Sequence, residues 1–203
     1  MMPNEPTPRK RRPVPGLTLL LGAGCLILSG LVLFFARRSA PVVSVPLAYR
    51  YIPSPNVDDR PPDVEVTCVV LHATVVDTLE GTVRAFLDPA RKISAHYVVD
   101  KQGRVVQMVP VEKRAWHAGE SVLEGVPRVN DYSVGIEIVN RNDGRDPYPD
   151  AQIEAVAGIV RLLRAHYPIP DSRIVSHAQV AMPPDRKSDP LNLDFRRVLD
   201  LAR

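Results

Sequence analysis

The sequence predicts a single α/β domain over residues 63–203, a mixed central β-sheet flanked by helices, preceded by segments that lie outside it. Three observations predict this class. Short β-branched runs alternate with helical patterns, as strands and helices do when helices cover both faces of a sheet. Two of the runs are separated only by Lys101-Gln102-Gly103, the spacing of a hairpin, so the sheet contains an antiparallel pair. The longest helical pattern carries its apolar residues on one face, which has to pack against the sheet.

Taken in order, Val64 to Leu71 is a β-branched run ending at His72 and reads as a buried central strand. Thr78 to Leu87 reads as a helix closed by Pro89. Ala95 to Asp100 and Arg104 to Val109 form the hairpin, and Ser133 to Val139 is a further strand. A helix starting at Asp150, a good N-cap residue, sets Ile153, Val156, Ala157, Val160 and Leu163 along one face before Pro168 stops it. Arg173 to Ser176 is a last short strand, followed by a loop from His177 to Pro190. Asp194 caps a final short helix.

The N-terminal part has a different composition. Residues 1–15 form a basic tail containing Arg9, Lys10, Arg11 and Arg12. Residues 16–36, Gly16 to Ala36, carry no charge over 21 positions, about 31 Å as a helix and enough to cross a bilayer. The excess of positive charge before this run predicts a transmembrane signal-anchor with a cytoplasmic tail and an exported, membrane-anchored domain. The competing reading is a signal peptide whose cleavage leaves a secreted protein. Its apolar core is normally about 7–15 residues long, and Arg38 spoils the small-x-small site ending at Ala40. Residues 37–62 carry prolines at 41, 46, 53, 55, 61 and 62, which excludes a helix or central strand and predicts a semi-rigid Pro-rich linker. Cys25 lies in the apolar run and Cys68 in a predicted buried strand, so no intrachain disulfide is expected. The formal charge of +3 is modest and comes partly from the tail, which leaves no nucleic-acid signal.

Several residues carry chemistry, each with a plain structural alternative. His72 and His177 each follow an apolar strand and project from strand ends, as ligands or as satisfied structural histidines. Asp189, twelve residues after His177, is either a third ligand or an ordinary turn aspartate before Pro190. Glu137 interrupts the apolar strand Val134-Gly135-Ile136-Glu137-Ile138-Val139 and must pair, face solvent or work. Lys187 shares a side of an extended loop with Asp189, or is simply solvated there. Trp116-His117 either packs a loop or meets a ligand. His96, inside a strand, is equally open.

The ordered set Val70-Leu71-His72-Ala73-Thr74, Ser94-Ala95-His96-Tyr97-Val98-Val99-Asp100, Arg114-Ala115-Trp116-His117-Ala118-Gly119, Asn130-Asp131-Tyr132-Ser133-Val134-Gly135-Ile136-Glu137-Ile138, Ser176-His177-Ala178-Gln179-Val180-Ala181 and Arg186-Lys187-Ser188-Asp189-Pro190 resembles the type 2 N-acetylmuramoyl-L-alanine amidases. That family includes peptidoglycan recognition proteins and phage lysozyme-like amidases. The resemblance covers about Val64 to Phe195. It implies that His72, His177 and Asp189 bind Zn2+, two imidazoles and a carboxylate leaving a fourth position open. It implies that Glu137 is the catalytic acid/base and that Lys187 stabilises the oxyanion. By the same resemblance His117, with Trp116 beside it, and Asn130 contact substrate. The implied activity is hydrolysis of the amide between N-acetylmuramic acid and L-alanine in a peptidoglycan or muropeptide substrate; separately, a monomer is expected. The alternative within the family is a non-catalytic peptidoglycan-binding module. Two departures concern loop shape: Ala181 to Asp185 is one residue longer than the usual form, and Leu191 stands where glycine commonly follows the Asp-Pro pair.

Overall fold

The computed structural model describes residues 49–203. The tail (1–15), the expected transmembrane segment (16–36) and the first part of the linker lie outside the described residues. Among the described residues, no helix is long and apolar enough to cross a membrane.

The strands are β1 (Tyr49–Tyr51), β2 (Val57–Asp59), β3 (Cys68–Ala73), β4 (Tyr97–Val99), β5 (Val105–Gln107), β6 (Lys113–Ala115), β7 (Val122–Leu123), β8 (Val126–Pro127), β9 (Ser133–Ile138) and β10 (Ile174–Ser176). The helices are α1 (Leu79–Leu87), α2 (Asp150–Arg164), α3 (His177–Val180) and α4 (Phe195–Leu201), with short 3-10 turns between. The main sheet has the order β1-β5-β4-β9-β3-β10, with β4 and β5 antiparallel and every other pair parallel. The sheet is therefore mixed, as the hairpin predicted.

Alternation along the strands decides where the site lies. Val69 and Leu71 of β3 and Val134, Ile136 and Ile138 of β9 pack into one core with Ile153, Val156, Val160 and Leu163 of α2. The intervening residues, Cys68, Val70 and His72 of β3 and Ser133, Gly135 and Glu137 of β9, therefore point to the opposite face. Register pairs them as Cys68 with Ser133, Val70 with Gly135 and His72 with Glu137. Helix α1 covers part of that second face, where Phe86 joins Val98, Val106 and Met108. Its start is fixed by Thr78, whose side chain accepts from the Gly81 N–H.

Four local expectations change. The N-cap of α2 is Pro149, not Asp150: the Pro149 carbonyl accepts from the Gln152 and Ile153 N–H groups, and Asp150 is the first helical residue, its carboxylate 2.7 Å from Arg197 of α4. Strand β3 starts at Cys68 and runs through His72 to Ala73, because Asp63 takes a left-handed φ of 65° and the residues up to Glu65 face solvent. His177 opens a short helix, not a loop: Ser176 and Gln179 form a reciprocal capping box around its first turn.

The fourth change is the linker boundary. Residues 49–60, expected in a spacer, pack on the domain. β1 pairs with β5 at the sheet edge, and β2 pairs antiparallel with β6. β1 is an edge strand, so no central strand forms in this stretch, as the prolines predicted; what ties the segment down is polar side chains. Ser54 Oγ donates to the Phe86 carbonyl, and Asn56 Nδ2 donates to Asp88 and Ile93 carbonyls at 3.0 and 2.9 Å. The Arg60 guanidinium donates to the carbonyls of Val111, Asn130, Asp131 and Ser133.

Candidate metal centre

Three elements bring the predicted trio together. His72 is near the end of β3, His177 is the first residue of α3, and Asp189 comes from the loop that returns beneath them. The Asp189 carbonyl accepts from Ala178 N–H at 3.0 Å, and its Oδ2 lies 3.4 Å from the Ala73 N–H. One nitrogen of each histidine and one oxygen of Asp189 lie within 4.8 Å of one another, and all three residues are buried.

Hydrogen-bond chemistry fixes which nitrogens converge. His177 Nε2 faces the Ala118 carbonyl at 3.3 Å, an oxygen that can only accept. Nε2 therefore carries the proton, and the Nδ1 lone pair faces Asp189 at 3.2 Å. His72 presents its Nδ1 to the same carboxylate at 3.5 Å, while its Nε2 points at His117. Burial, acting against a contact with Asp189, pushes the His72 imidazole down to about 4, so it is neutral at physiological pH. Two neutral imidazole lone pairs and one carboxylate thus aim at one point. That donor set fits zinc, with nitrogen and oxygen ligands and an open fourth position.

Beside the trio is a cavity of about 250 Å3, lined among others by Trp116, His117, Glu137 and Lys187. Glu137 lies across from His72 in the register, and its Oε2 is buried with no hydrogen-bond partner among the described residues. Burial, then the Asp189 charge, pushes this carboxyl up to about 8, with Lys187 opposing. A buried carboxylate oxygen left without a partner is costly unless something else uses it. Lys187 stands exposed at the rim, close enough for its charge to act on both Glu137 and His72.

The three residues expected to touch substrate separate. Trp116 lines the cavity, and its indole Nε1 donates to Asp58 Oδ2 at 2.7 Å. Asn130 does not line it: buried, its Oδ1 accepts from the backbone N–H of His117 and Ala118 at 3.3 and 2.8 Å, which shapes the loop. His117 lines the cavity with little surface, being 9 % exposed. His96 is structural. Its Nδ1 accepts from Gly135 N–H and its Nε2 donates to the Lys113 carbonyl, each at 3.0–3.1 Å.

The loop between His177 and Asp189 is pinned. Met182 N–H donates to the Glu120 carbonyl, and the Arg186 guanidinium donates to the carbonyls of Met182, Ala118 and Glu120. Arg186 thereby grips the carbonyl that orients His177. Sequence reasoning missed Arg186, Asp58, Ser133 and Gly135. Only the alternation of Ser133 and Gly135 with Glu137 along one strand signalled a shared face.

Asp58 also holds Arg114 at 2.6 Å, so it fixes the Trp116 ring from a segment outside the expected domain. Asp58→Ala is expected to raise KM about 3- to 10-fold, the range of about 0.5–1.5 kcal/mol for one lost hydrogen bond at a partly exposed position, with kcat nearly unchanged. Steady-state kinetics on a muropeptide checks it, and an unchanged KM would show that the ring does not depend on Asp58.

Comparisons with known proteins agree with this geometry. The profile of the N-acetylmuramoyl-L-alanine amidase family matches residues 62–192. The chain is 36% identical over 160 residues to the 1,6-anhydro-N-acetylmuramyl-L-alanine amidase AmpD of Salmonella typhimurium (strain SL1344), covering 70% of this chain and 82% of that protein. A crystal structure of a selenomethionine AmpD derivative superposes with a TM-score of 0.64 at 29% identity, covering 77% of this chain and 95% of that one. The amidase AmiD from E. coli, solved with anhydro-N-acetylmuramic acid-L-Ala-D-gamma-Glu-L-Lys, gives a TM-score of 0.57 at 31% identity, covering 64% of this chain and 55% of that one.

Proposed function

The chain belongs to the N-acetylmuramoyl-L-alanine amidase family, and from that premise we propose that it is a zinc hydrolase cutting the amide between N-acetylmuramic acid and the L-alanine of the stem peptide. The observation that carries the proposal is the buried, unpartnered carboxylate oxygen of Glu137, a residue that lines the same cavity as His72 and His177. His72, His177 and Asp189 would hold the metal. When bound, zinc supplies a Lewis acid that polarises the amide carbonyl and lowers the pKa of water.

The chain's own groups do the rest. Glu137 takes a proton from the attacking water as its oxygen bonds to the carbonyl carbon, and returns it to the leaving nitrogen as the C–N bond breaks. Burial raises its pKa above the ordinary carboxylate range, and a cation held beside it would favour the ionised form that accepts the first proton. The Lys187 ammonium, at the rim, stabilises the negative charge that develops on the carbonyl oxygen. Trp116 offers an apolar face to the sugar or first peptide residues.

Two further readings belong to the proposal. Relatives named for or solved with 1,6-anhydro-muramyl compounds support anhydro-muropeptides as a substrate class. The uncharged run Gly16 to Ala36, with basic residues before it, supports a membrane anchor that leaves the domain on the outer face.

The full chain, supplied with an anhydro-muropeptide, is expected to release a stem peptide with a free L-alanine amine. A chelator should stop the release and added zinc should restore it, with product masses as the readout. Tight binding of the fragment with no turnover at saturating zinc would overturn the hydrolase reading in favour of a binding module.

A further inference from the structure

His117 lines the cavity, yet neither of its nitrogens is free to meet a substrate. Ser133 Oγ lies 2.6 Å from the Val129 carbonyl and 3.2 Å from His117 Nε2. A hydroxyl has one proton, and the carbonyl can only accept it. Ser133 Oγ therefore receives the His117 Nε2 proton, which leaves His117 Nδ1 with its lone pair. That lone pair faces His72 Nε2 at 3.0 Å. The chain of donors runs in one direction: His72 Nε2–H to His117 Nδ1, His117 Nε2–H to Ser133 Oγ, and Ser133 O–H to the Val129 carbonyl.

The ring is also held in place sterically. A Cβ on Gly135 would stand 2.4 Å from His117 Cγ, so the imidazole occupies the space where a strand residue would carry a side chain. Asn130 fixes the backbone at His117 from the other side. One face of β9 thus serves the site at three successive positions: Ser133 sets the tautomer of His117, Gly135 leaves room for its ring, and Glu137 reaches the cavity.

We infer that His117 is a positioning residue that acts through His72, forcing its proton onto Nε2 and its Nδ1 lone pair toward His177 and Asp189, and that it is not a substrate contact. The inference rests on the proposed function only in taking the trio as a zinc site. Partners of this kind, one bond behind a ligand, are typically worth about 10- to 100-fold in metal affinity.

The test is zinc affinity of the full chain, by competition with a chelating dye, for wild type, His117→Phe, His117→Asn and Ser133→Ala, alongside cobalt(II) absorption spectra. His117→Phe keeps the ring and removes the acceptor, and is expected to lose 10- to 100-fold in zinc affinity with a shifted cobalt spectrum. His117→Asn places an amide oxygen where Nδ1 stands, and is expected to recover most of the loss. Ser133→Ala frees the ring to take the other tautomer and should give a smaller loss of the same sign. Wild-type affinity in His117→Phe, or equal losses in the Phe and Asn variants, would overturn the inference. If His117→Phe shows no cooperative melt in chelator, Ser133→Ala decides, and wild-type zinc affinity there overturns the inference. Wild-type chain that binds zinc but releases no stem peptide would sink the proposed function and leave these affinities unaffected.

Discussion

Glu137→Gln is expected to reduce hydrolysis about 10²- to 10⁴-fold, the usual range for a general acid/base, while zinc content stays at the wild-type level. The same substitution should make the metal-free protein more stable at high pH. Glutamine keeps the shape and removes the charge from a position where Oε2 has no partner among the described residues. The folded carboxyl is raised to about 8, burial being the main cause, from an ordinary value of 4.5. Between those two values the folded protein holds a proton that the unfolded chain releases. Wild-type stability is therefore fully present below pH 4.5 and is lost as pH rises toward 8, at about 1.4 kcal/mol per pH unit. The variant has no such loss, so its advantage opens above pH 4.5 and levels off above about 8. Bound zinc narrows the gap, because a nearby cation favours the ionised carboxylate. Melts of both proteins in chelator at pH 5, 7 and 9 measure the difference. Parallel stability curves would mean that Glu137 is neither desolvated nor poised as argued.

Glu137 and Arg60 mark the two ends of what this sequence makes legible. The sheet and its helices follow from periodicity and caps: Asp194 caps α4 as expected, Thr78, where the predicted helix begins, is the cap of α1, and the α2 stripe buries Ile153, Val156 and Leu163. The capping box spacing of Ser176 and Gln179 was equally legible and makes His177 the first residue of a helix. The metal trio came from ordered motifs; spacing along the chain could not supply it, because β3 and β10 are neighbours only in the sheet. Asn130 shows the limit of that route. A polar residue in a motif reads as a substrate contact, while its oxygen is in fact spent on two backbone N–H groups. Bonds from single side chains to distant carbonyls leave no period in a sequence. For this reason the polar residues of 49–60 look like those of any Pro-rich spacer.

Arg60→Met is expected to destabilise the fold by roughly 3–5 kcal/mol, in the range for losing a buried charged group whose partners are left behind. The guanidinium donates to four carbonyls, those of Val111, Asn130, Asp131 and Ser133, at 2.8–3.1 Å. Burial pulls its pKa down to about 10, so it remains a cation at neutral pH. Methionine fills much of the same volume and satisfies none of those oxygens. Lysine keeps the charge, but its single ammonium cannot reproduce a planar fork with donors on three nitrogens, so Arg60→Lys should recover only part of the loss. The consequence reaches the metal centre, because two of the carbonyls belong to Asn130 and Ser133, the residues that shape the loop of His117 and set its tautomer. Denaturant melts should therefore show a lower midpoint, and zinc affinity should fall with it. A chain truncated at Pro62, the boundary that proline content alone suggests, should share both defects, because it also loses β1, β2 and the Asp58 bond to Trp116. Wild-type stability in that truncated chain would show that residues 49–60 are a spacer after all.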